Sequence, residues 1–94
     1  MVLLPEVLNQ RTAAMRLPEL RAALEQAGQA AQLDASGLRS FDSVALAVLL
    51  DLRRSALQQG RTLQVRGMPQ RLRDLAGLYG VAQLLEPEPP AAST

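Results

Sequence analysis

The most constraining feature of the sequence is the apolar segment 44–57, which is rich in helix-compatible residues and is followed by Gly60. Asp42 and Ser43 stand directly before it, and both residue types are preferred at helix N-caps, while glycine typically follows a helix C-terminus. Its apolar arc is wide, because leucine, valine and alanine occupy more than one side of the helix. We therefore predict a helix that is buried over much of its circumference and has a second surface for contacts.

Four other segments have the character of strands. Residues 2–8 are apolar and extended in character, but Pro5 cannot donate to a neighbouring strand, which indicates a strand near a sheet edge. Residues 31–35 are mostly small and apolar, and residues 62–66 alternate between polar and apolar side chains, so both segments predict strands. Residues 81–85 are apolar and can return to the sheet as a final strand.

Two further helices are predicted, one on each side of the central helix. Leucine and alanine recur at helical spacing over residues 17–27, with Pro18 near the first helical position and Gly28 as a stop. A second apolar stripe runs over residues 72–79 and ends at Gly80. Strands and helices therefore alternate along the chain, which predicts an α/β fold with a mainly parallel sheet covered by helices.

The composition argues against most catalytic designs. The chain has no cysteine and no histidine, so thiolate nucleophiles, the usual general base and most zinc ligands are missing. The acidic residues are spread singly, and neither Gly60 nor Gly67 is followed by the lysine and hydroxyl residue of a phosphate-binding P-loop. We therefore expect a protein that is not an enzyme and that uses no metal ion or other cofactor.

The charge pattern argues against a nucleic-acid partner. The net charge is only +1, and Phe41 and Tyr79 are the only aromatic residues available to stack on bases. All ten basic residues are arginines, and six of them lie within residues 53–73. This run can attract an acidic protein surface, or it can be an ordinary solvated face with scattered charges.

The length of 94 residues predicts one domain, which we place at residues 1–86. Residues 87–94 are rich in proline, alanine and serine and are expected to form a disordered tail. The longest apolar run, residues 44–50, is far too short to span a bilayer, and no signal peptide precedes it. We therefore expect a cytoplasmic protein.

The turn before the central helix is the most informative site for chemistry. It consists of Phe41, Asp42, Ser43 and Val44, and it lies where the backbone amides of a helix start are unpaired. A phosphate on Ser43 would be favoured by the helix N-terminus and opposed by the charge of Asp42. The alternative is that both residues only cap the helix.

The segments 33–36 and 41–43, followed by the apolar helix 45–52, resemble the STAS domain, a family that joins sulfate transporters with anti-sigma factor antagonists. Within that family the C-terminal half of the chain looks most like the MlaB-type subunit of the Mla phospholipid ABC transporter of Gram-negative bacteria. The resemblance covers about residues 3–85. It implies a STAS-like α/β fold and an accessory subunit, without catalysis of its own, that sits on the cytoplasmic ATPase of the transporter and reaches the membrane only through that complex.

The resemblance also implies which residues meet the partner. Ser43 matches the hydroxyl residue that anti-sigma antagonists phosphorylate and that the MlaB-type subunit keeps at its partner interface. The implied docking surface is the exposed side of the helix that starts there, together with nearby loop residues. Its members are Arg39, Ser40, Asp42, Ser43, Leu46, Ala47, Leu50 and Arg54.

Two departures from the family pattern affect these expectations. Val44 and Ala45 stand where antagonists often carry a second small hydroxyl residue and a glycine, which favours a permanent interface over a phosphorylation switch. The alternative function is an anti-sigma factor antagonist that a partner kinase phosphorylates at Ser43. Family members also usually carry a further strand before the segment 2–8, so we expect an uncovered sheet edge that can pair with a second copy of the chain.

Overall fold

A computed structural model of the chain describes residues 2–85, and strands and helices alternate along most of this range as the sequence predicts. The four helices in the described range are α1 (Ala13–Gln26), α2 (Val44–Gln58), α3 (Gln70–Leu78) and α4 (Ala82–Leu85). The five strands are β1 (Val2–Leu3), β2 (Val7–Leu8), β3 (Ala30–Asp34), β4 (Ser40–Phe41) and β5 (Thr62–Arg66). The predicted α/β fold with a parallel sheet is thereby confirmed.

The main sheet has the order β1-β3-β5, and both of its strand pairs are parallel. Val2 pairs with Leu33, and Ala30 pairs with Thr62. The strands β2 and β4 form a second, two-stranded parallel sheet in which Leu8 pairs with Phe41. Within the described residues β1 and β5 are therefore the two edges of the main sheet, and the pairing of an edge with a second copy stays a prediction.

The helices cover the apolar face of the main sheet. Leu63 and Val65 of β5 are buried, whereas their neighbours Thr62, Gln64 and Arg66 point to the other face and are exposed. This alternation follows from the two-residue period of a strand. The helix α2 packs on β5, and α1 packs on β1 and α2, so the core lies between the helices and one face of the sheet. Its largest fully buried side chains are Leu8, Leu33, Leu46, Leu49, Leu52, Val65, Leu72 and Leu85.

The prediction of one continuous strand over residues 2–8 was wrong. Pro5 separates β1 from β2, and the two strands belong to different sheets. The amide of Leu4 still donates to the carbonyl of Asp34 at 2.9 Å, but the carbonyl of Glu6 accepts from the amides of Arg39 and Ser40. Because proline lacks an N–H, the chain leaves one set of hydrogen-bond partners at this residue and joins another.

The helix α1 begins at Ala13, so Pro18 lies inside the helix and not near its start as predicted. A turn closed by Asn9 sets the earlier start. Its side-chain Oδ1 accepts from the amide of Arg11 at 2.9 Å, and its carbonyl accepts from the amide of Ala13, also at 2.9 Å. Pro18 is exposed, as is Ala14 four residues earlier, so water can bond the carbonyl that proline leaves without its helical donor.

The prediction that residues 81–85 return to the sheet as a strand was also wrong, because this segment contains α4. Gly80 ends α3 with a φ of +73°, and the amide of Val81 donates to the carbonyl of Ala76 at 2.9 Å. The short helix then packs on α2 and α3 and buries Leu85, which is 2% exposed. The predicted tail 87–94 lies outside the described residues.

Candidate docking site

The start of α2 is capped by Asp42 and not by the hydroxyl of Ser43. The carboxylate of Asp42 accepts a hydrogen bond from the amide of Val44 at 2.9 Å and another from the amide of Gln10 at 3.3 Å. Ser43 occupies the N-cap position, yet its side chain makes no capping hydrogen bond to any described residue. Asp42 and Ser43 were both predicted to cap the helix, but only the side chain of Asp42 does so. The exposed hydroxyl of Ser43 stays available to a partner.

This arrangement sets the electrostatics of the helix start. The first amide that a bound anion would use, that of Val44, is already bonded to the carboxylate of Asp42. A phosphate on Ser43 would lie one residue along the chain from the carboxylate of Asp42, and the two negative charges would repel each other. The helix N-terminus still favours negative charge. Asp42 supplies that charge itself, so the site suits a neutral or positively charged contact better than an added anion.

The loop before the helix start is held by the N-terminal segment. The amides of Arg39 and Ser40 both donate to the carbonyl of Glu6, at 2.8 and 3.0 Å. Both side chains belong to exposed residues. Beside them the guanidinium of Arg71, from the first turn of α3, lies over the ring of Phe41 at 5.1 Å from the ring centre. The predicted loop residues and the start of α2 therefore lie on the same side of the molecule.

The outer face of α2 carries three of the eight predicted contact residues, but the prediction that Leu46 is exposed was wrong. Leu46 is 2% exposed and belongs to the core, so it cannot form part of an exposed docking surface. Ala47 and Arg54 are exposed, and Leu50 is half-buried. Residues three, four and seven apart share a helix face, so Ala47, Leu50 and Arg54 line up while Leu46 points inward with Leu49.

These outward residues form an open groove of about 320 Å³ that is lined by Ala47, Leu50, Asp51 and Arg54. The carboxylate of Asp51 bonds Arg54 at 2.8 Å and also bonds Arg21 of α1. The hydrogen bond from Arg21, aided by Arg54, lowers the pKa of Asp51 below its ordinary value. Asp51 and Arg71 were not among the predicted site residues. Asp51 lies three residues before Arg54, and residues at this spacing share a helix face. That spacing was the signal that could have placed Asp51 in the groove.

A family model described as "Mlab, STAS domain" matches residues 3–86 of the chain. This chain belongs to the STAS domain family. The comparison with curated proteins found no match. The matched range includes every described strand and helix except the first residue of β1, so the family assignment and the observed parallel α/β fold agree.

In this STAS domain Asp34, the last residue of β3, begins a turn that includes Ser36. The carboxylate of Asp34 accepts from the amide of Ser36 at 2.9 Å, and this bond lowers the pKa of Asp34. Gly67 lies against the turn with a φ of +69°, and a Cβ on Gly67 would lie 3.0 Å from the Cβ of Ser36. Glycine is needed here for both the backbone conformation and the close approach. The turn therefore has a structural role at the carboxyl ends of β3 and β5.

STAS domains are generally non-catalytic. Within residues 2–85 no group of three or more acidic, histidine or cysteine side chains is placed to hold a metal ion. No helix in that part of the chain is long and apolar enough to cross a membrane. The site offers a hydroxyl, a shallow groove with polar and apolar lining, and several guanidinium groups.

Proposed function

We propose that this STAS domain is a non-catalytic accessory subunit that docks on the ATPase of an Mla-type phospholipid ABC transporter, which maintains outer-membrane lipid asymmetry. It supports the assembly and activity of that ATPase and reaches the inner membrane only through it. The observation that carries the proposal is the groove on the outer face of α2 beside the exposed hydroxyl of Ser43. The description of the matching family as an Mlab-type STAS domain supports the choice of partner.

The residues of this surface suit a lasting protein contact. Ala47 lets another backbone approach closely, and the half-buried Leu50 gains burial when the groove is filled. Arg54 stands at the edge of the groove with a side chain that is 72% exposed. Arginine is enriched at interfaces because its long stem packs while its planar head makes several hydrogen bonds. Only a partner that covers the groove would use all three properties together.

An anti-sigma factor antagonist, phosphorylated at Ser43 by a partner kinase, is the second candidate. The exposed hydroxyl of Ser43, free of a capping bond to the described residues, favours it, because a kinase needs such access. Two features weigh against it. The carboxylate of Asp42 holds the amide that would help to bind a phosphate, and Val44 adds apolar bulk beside the hydroxyl.

The first experiment is co-purification of the chain with the ATPase subunit of an Mla-type transporter, with the ATPase rate recorded. Wild type is compared with Ser43→Glu and Ala47→Glu, which place an uncompensated charge in the proposed contact. Gln64→Glu is the matched control, since Gln64 is exposed on the open face of the sheet. We expect Ser43→Glu and Ala47→Glu each to lower the affinity for the ATPase at least tenfold. The control, Gln64→Glu, should leave that affinity unchanged.

A complex that survives Ala47→Glu and Ser43→Glu unchanged would place the contact elsewhere. Failure of the wild type to bind any such ATPase would refute the transporter proposal. The second candidate has its own measurement, which is incubation with an anti-sigma factor kinase and ATP followed by intact mass. A gain of one phosphate in wild type that Ser43→Ala abolishes would favour the antagonist, and an unchanged mass would remove it.

A further inference from the structure

A cavity of about 180 Å³ lies between the C-terminal halves of α1 and α2 and the first residues of β3 and β5. Its floor is apolar, and every floor residue is at most 9% exposed. The floor consists of Leu24, Ala31, Leu52, Ala56 and Leu63. Water bonds poorly in such a space, and apolar cavities of about 150 Å³ take up a six-carbon ring. The size and the lining therefore suit an alkyl group of about five carbons.

The rim of the cavity carries a guanidinium that is fixed in place and has hydrogen-bonding capacity to spare. Arg61 donates to the carbonyl of Leu24 at 2.7 Å, to the carbonyl of Gly28 at 3.5 Å and to the side chain of Gln59. A guanidinium has five N–H donors. Three bonds leave two donors without an acceptor among residues 2–85. Because these three hydrogen bonds hold the guanidinium in place, little side-chain entropy is lost when an anion binds it.

The other charged groups at the rim decide what kind of ligand fits. Arg21 is engaged by Asp51, which lies outside the cavity lining. Glu25 is exposed at the rim, with a carboxylate that disfavours an anion. Among the charged groups at the rim, Arg61 is therefore the one that favours binding of an anion. Its planar guanidinium can donate two parallel hydrogen bonds to the two oxygens of a carboxylate. A larger, strongly hydrated anion would leave the apolar floor uncovered.

We propose that this cavity binds a short-chain aliphatic carboxylate, with the alkyl chain on the apolar floor and the carboxylate on the two spare N–H groups of Arg61. The site is separate from the docking surface. Ser43 and Ala56 are 13 positions apart on α2, which corresponds to about 20 Å along the helix. The cavity lining shares no residue with the docking groove, although Arg21 at the cavity rim bonds Asp51 of the groove, and this inference does not depend on the proposed function.

The test is a titration of the ¹⁵N-labelled full chain with butyrate, pentanoate, hexanoate and octanoate at constant pH and ionic strength. We expect saturable shifts of the amide signals of Leu24, Ala31 and Arg61, with little change at Ser43. The dissociation constant should fall about fourfold for each added methylene until the floor is covered near hexanoate. Hexan-1-ol should bind at least tenfold more weakly than hexanoate, since it lacks the carboxylate.

Three variants make the test specific. Ala56→Leu fills the cavity and should abolish hexanoate binding, whereas Ala47→Leu adds the same side chain on the outer face of α2 and should leave it unchanged. Arg61→Lys keeps the positive charge but removes the paired N–H donors of the guanidinium. It should weaken the binding of hexanoate at least fivefold without affecting the binding of hexan-1-ol. Glu25→Gln should tighten hexanoate binding, because it removes the opposing charge.

Three results would overturn the proposal. One is the absence of saturable shifts at the cavity amides with tens of millimolar hexanoate. Another is equal binding of hexanoate and hexan-1-ol, which would leave Arg61 without a role. The third is undiminished binding to Ala56→Leu, which would place the ligand outside the cavity.

Discussion

The inner and outer faces of α2 differ sharply although they are built from similar residues. Leu46 is 2% exposed and packs in the core, while Ala47, the next residue, is exposed beside the open groove. Apolar residues occupy both faces, so apolar character does not separate them. What separates them is the angle at which each residue leaves the helix, since the sheet lies on one side only.

The inner face of α2 contributes to stability, whereas the proposed partner contact would use its outer face. Its inner face contributes Leu46, Leu49 and Leu52, each at most 2% exposed, to the core. Its outer face keeps Leu50 only half-buried and places Arg54 in solvent. A substitution on the inner face should therefore act on folding, and one on the outer face should act on binding.

The largest expected effect is the difference in stability between two variants that each introduce a negative charge, one on the inner face and one on the outer face of α2. Leu46→Glu should destabilise the protein by roughly 4 kcal/mol or more, because it buries a carboxylate without a partner and removes core contacts. Ala47→Glu should change the free energy of unfolding by about 0.5 kcal/mol or less, since the new side chain is solvated. Urea unfolding followed by circular dichroism measures both. Similar stability of the two variants would contradict the division into two faces.

A smaller effect on stability is expected at the start of α2. Asp42→Ala should cost about 1 kcal/mol, because the amide of Val44 loses its acceptor. Ser43→Ala should be nearly neutral, since the hydroxyl makes no capping bond to the described residues. The urea midpoints of the two variants check this pair. If Ser43→Ala were the more damaging one, the hydroxyl would be the true cap and less available to a partner.

The smallest effect should come from Asp51, which lies on the border between the faces and is bonded to Arg21 and Arg54. Asp51→Asn should cost about 0.2–1 kcal/mol at pH 7, because the side chains of both arginines are exposed to solvent, which weakens ion pairs. The pKa of Asp51 in the folded protein is lowered from 3.8, so the stabilisation is complete above about pH 4 and is lost as the pH falls through the folded value. The stability difference between wild type and Asp51→Asn should therefore shrink on acidification. A difference that grows below pH 4 would refute the assigned direction.

Local patterns predicted the strongest elements closely. The strand predicted at residues 62–66 has those bounds, and the helix predicted at residues 44–57 runs from Val44 to Gln58. The strand has a clear two-residue period and Gly67 directly after it, and the helix has cap residues before it and Gly60 two residues after it. The exposure of Leu46 could not be read from the sequence, because a wide apolar arc does not reveal which part of it faces the sheet.

The segments that were mispredicted depend on partners that are distant in sequence. Residues 2–8 divide between two sheets, and in the second of these β2 pairs with β4 while the carbonyl of Glu6 accepts from the loop before β4. Residues 82–85 are too short for their period to distinguish a strand from a helix, and packing on α2 and α3 decides for the helix. All but one of the predicted docking residues are exposed or half-buried, and their role in docking stays a prediction.

The parallel pairing of the main sheet has a consequence for how the molecule forms. Residue 2 pairs with residue 33, and residue 30 with residue 62, so each contact closes a loop of about thirty residues. Such loops are entropically costly to close and slow down folding relative to hairpins. The strand β5 follows α2 in the chain, so a ribosome must have released residue 66 before the sheet can support that helix. A nascent chain would therefore complete the main sheet late, after residue 66 has left the exit tunnel.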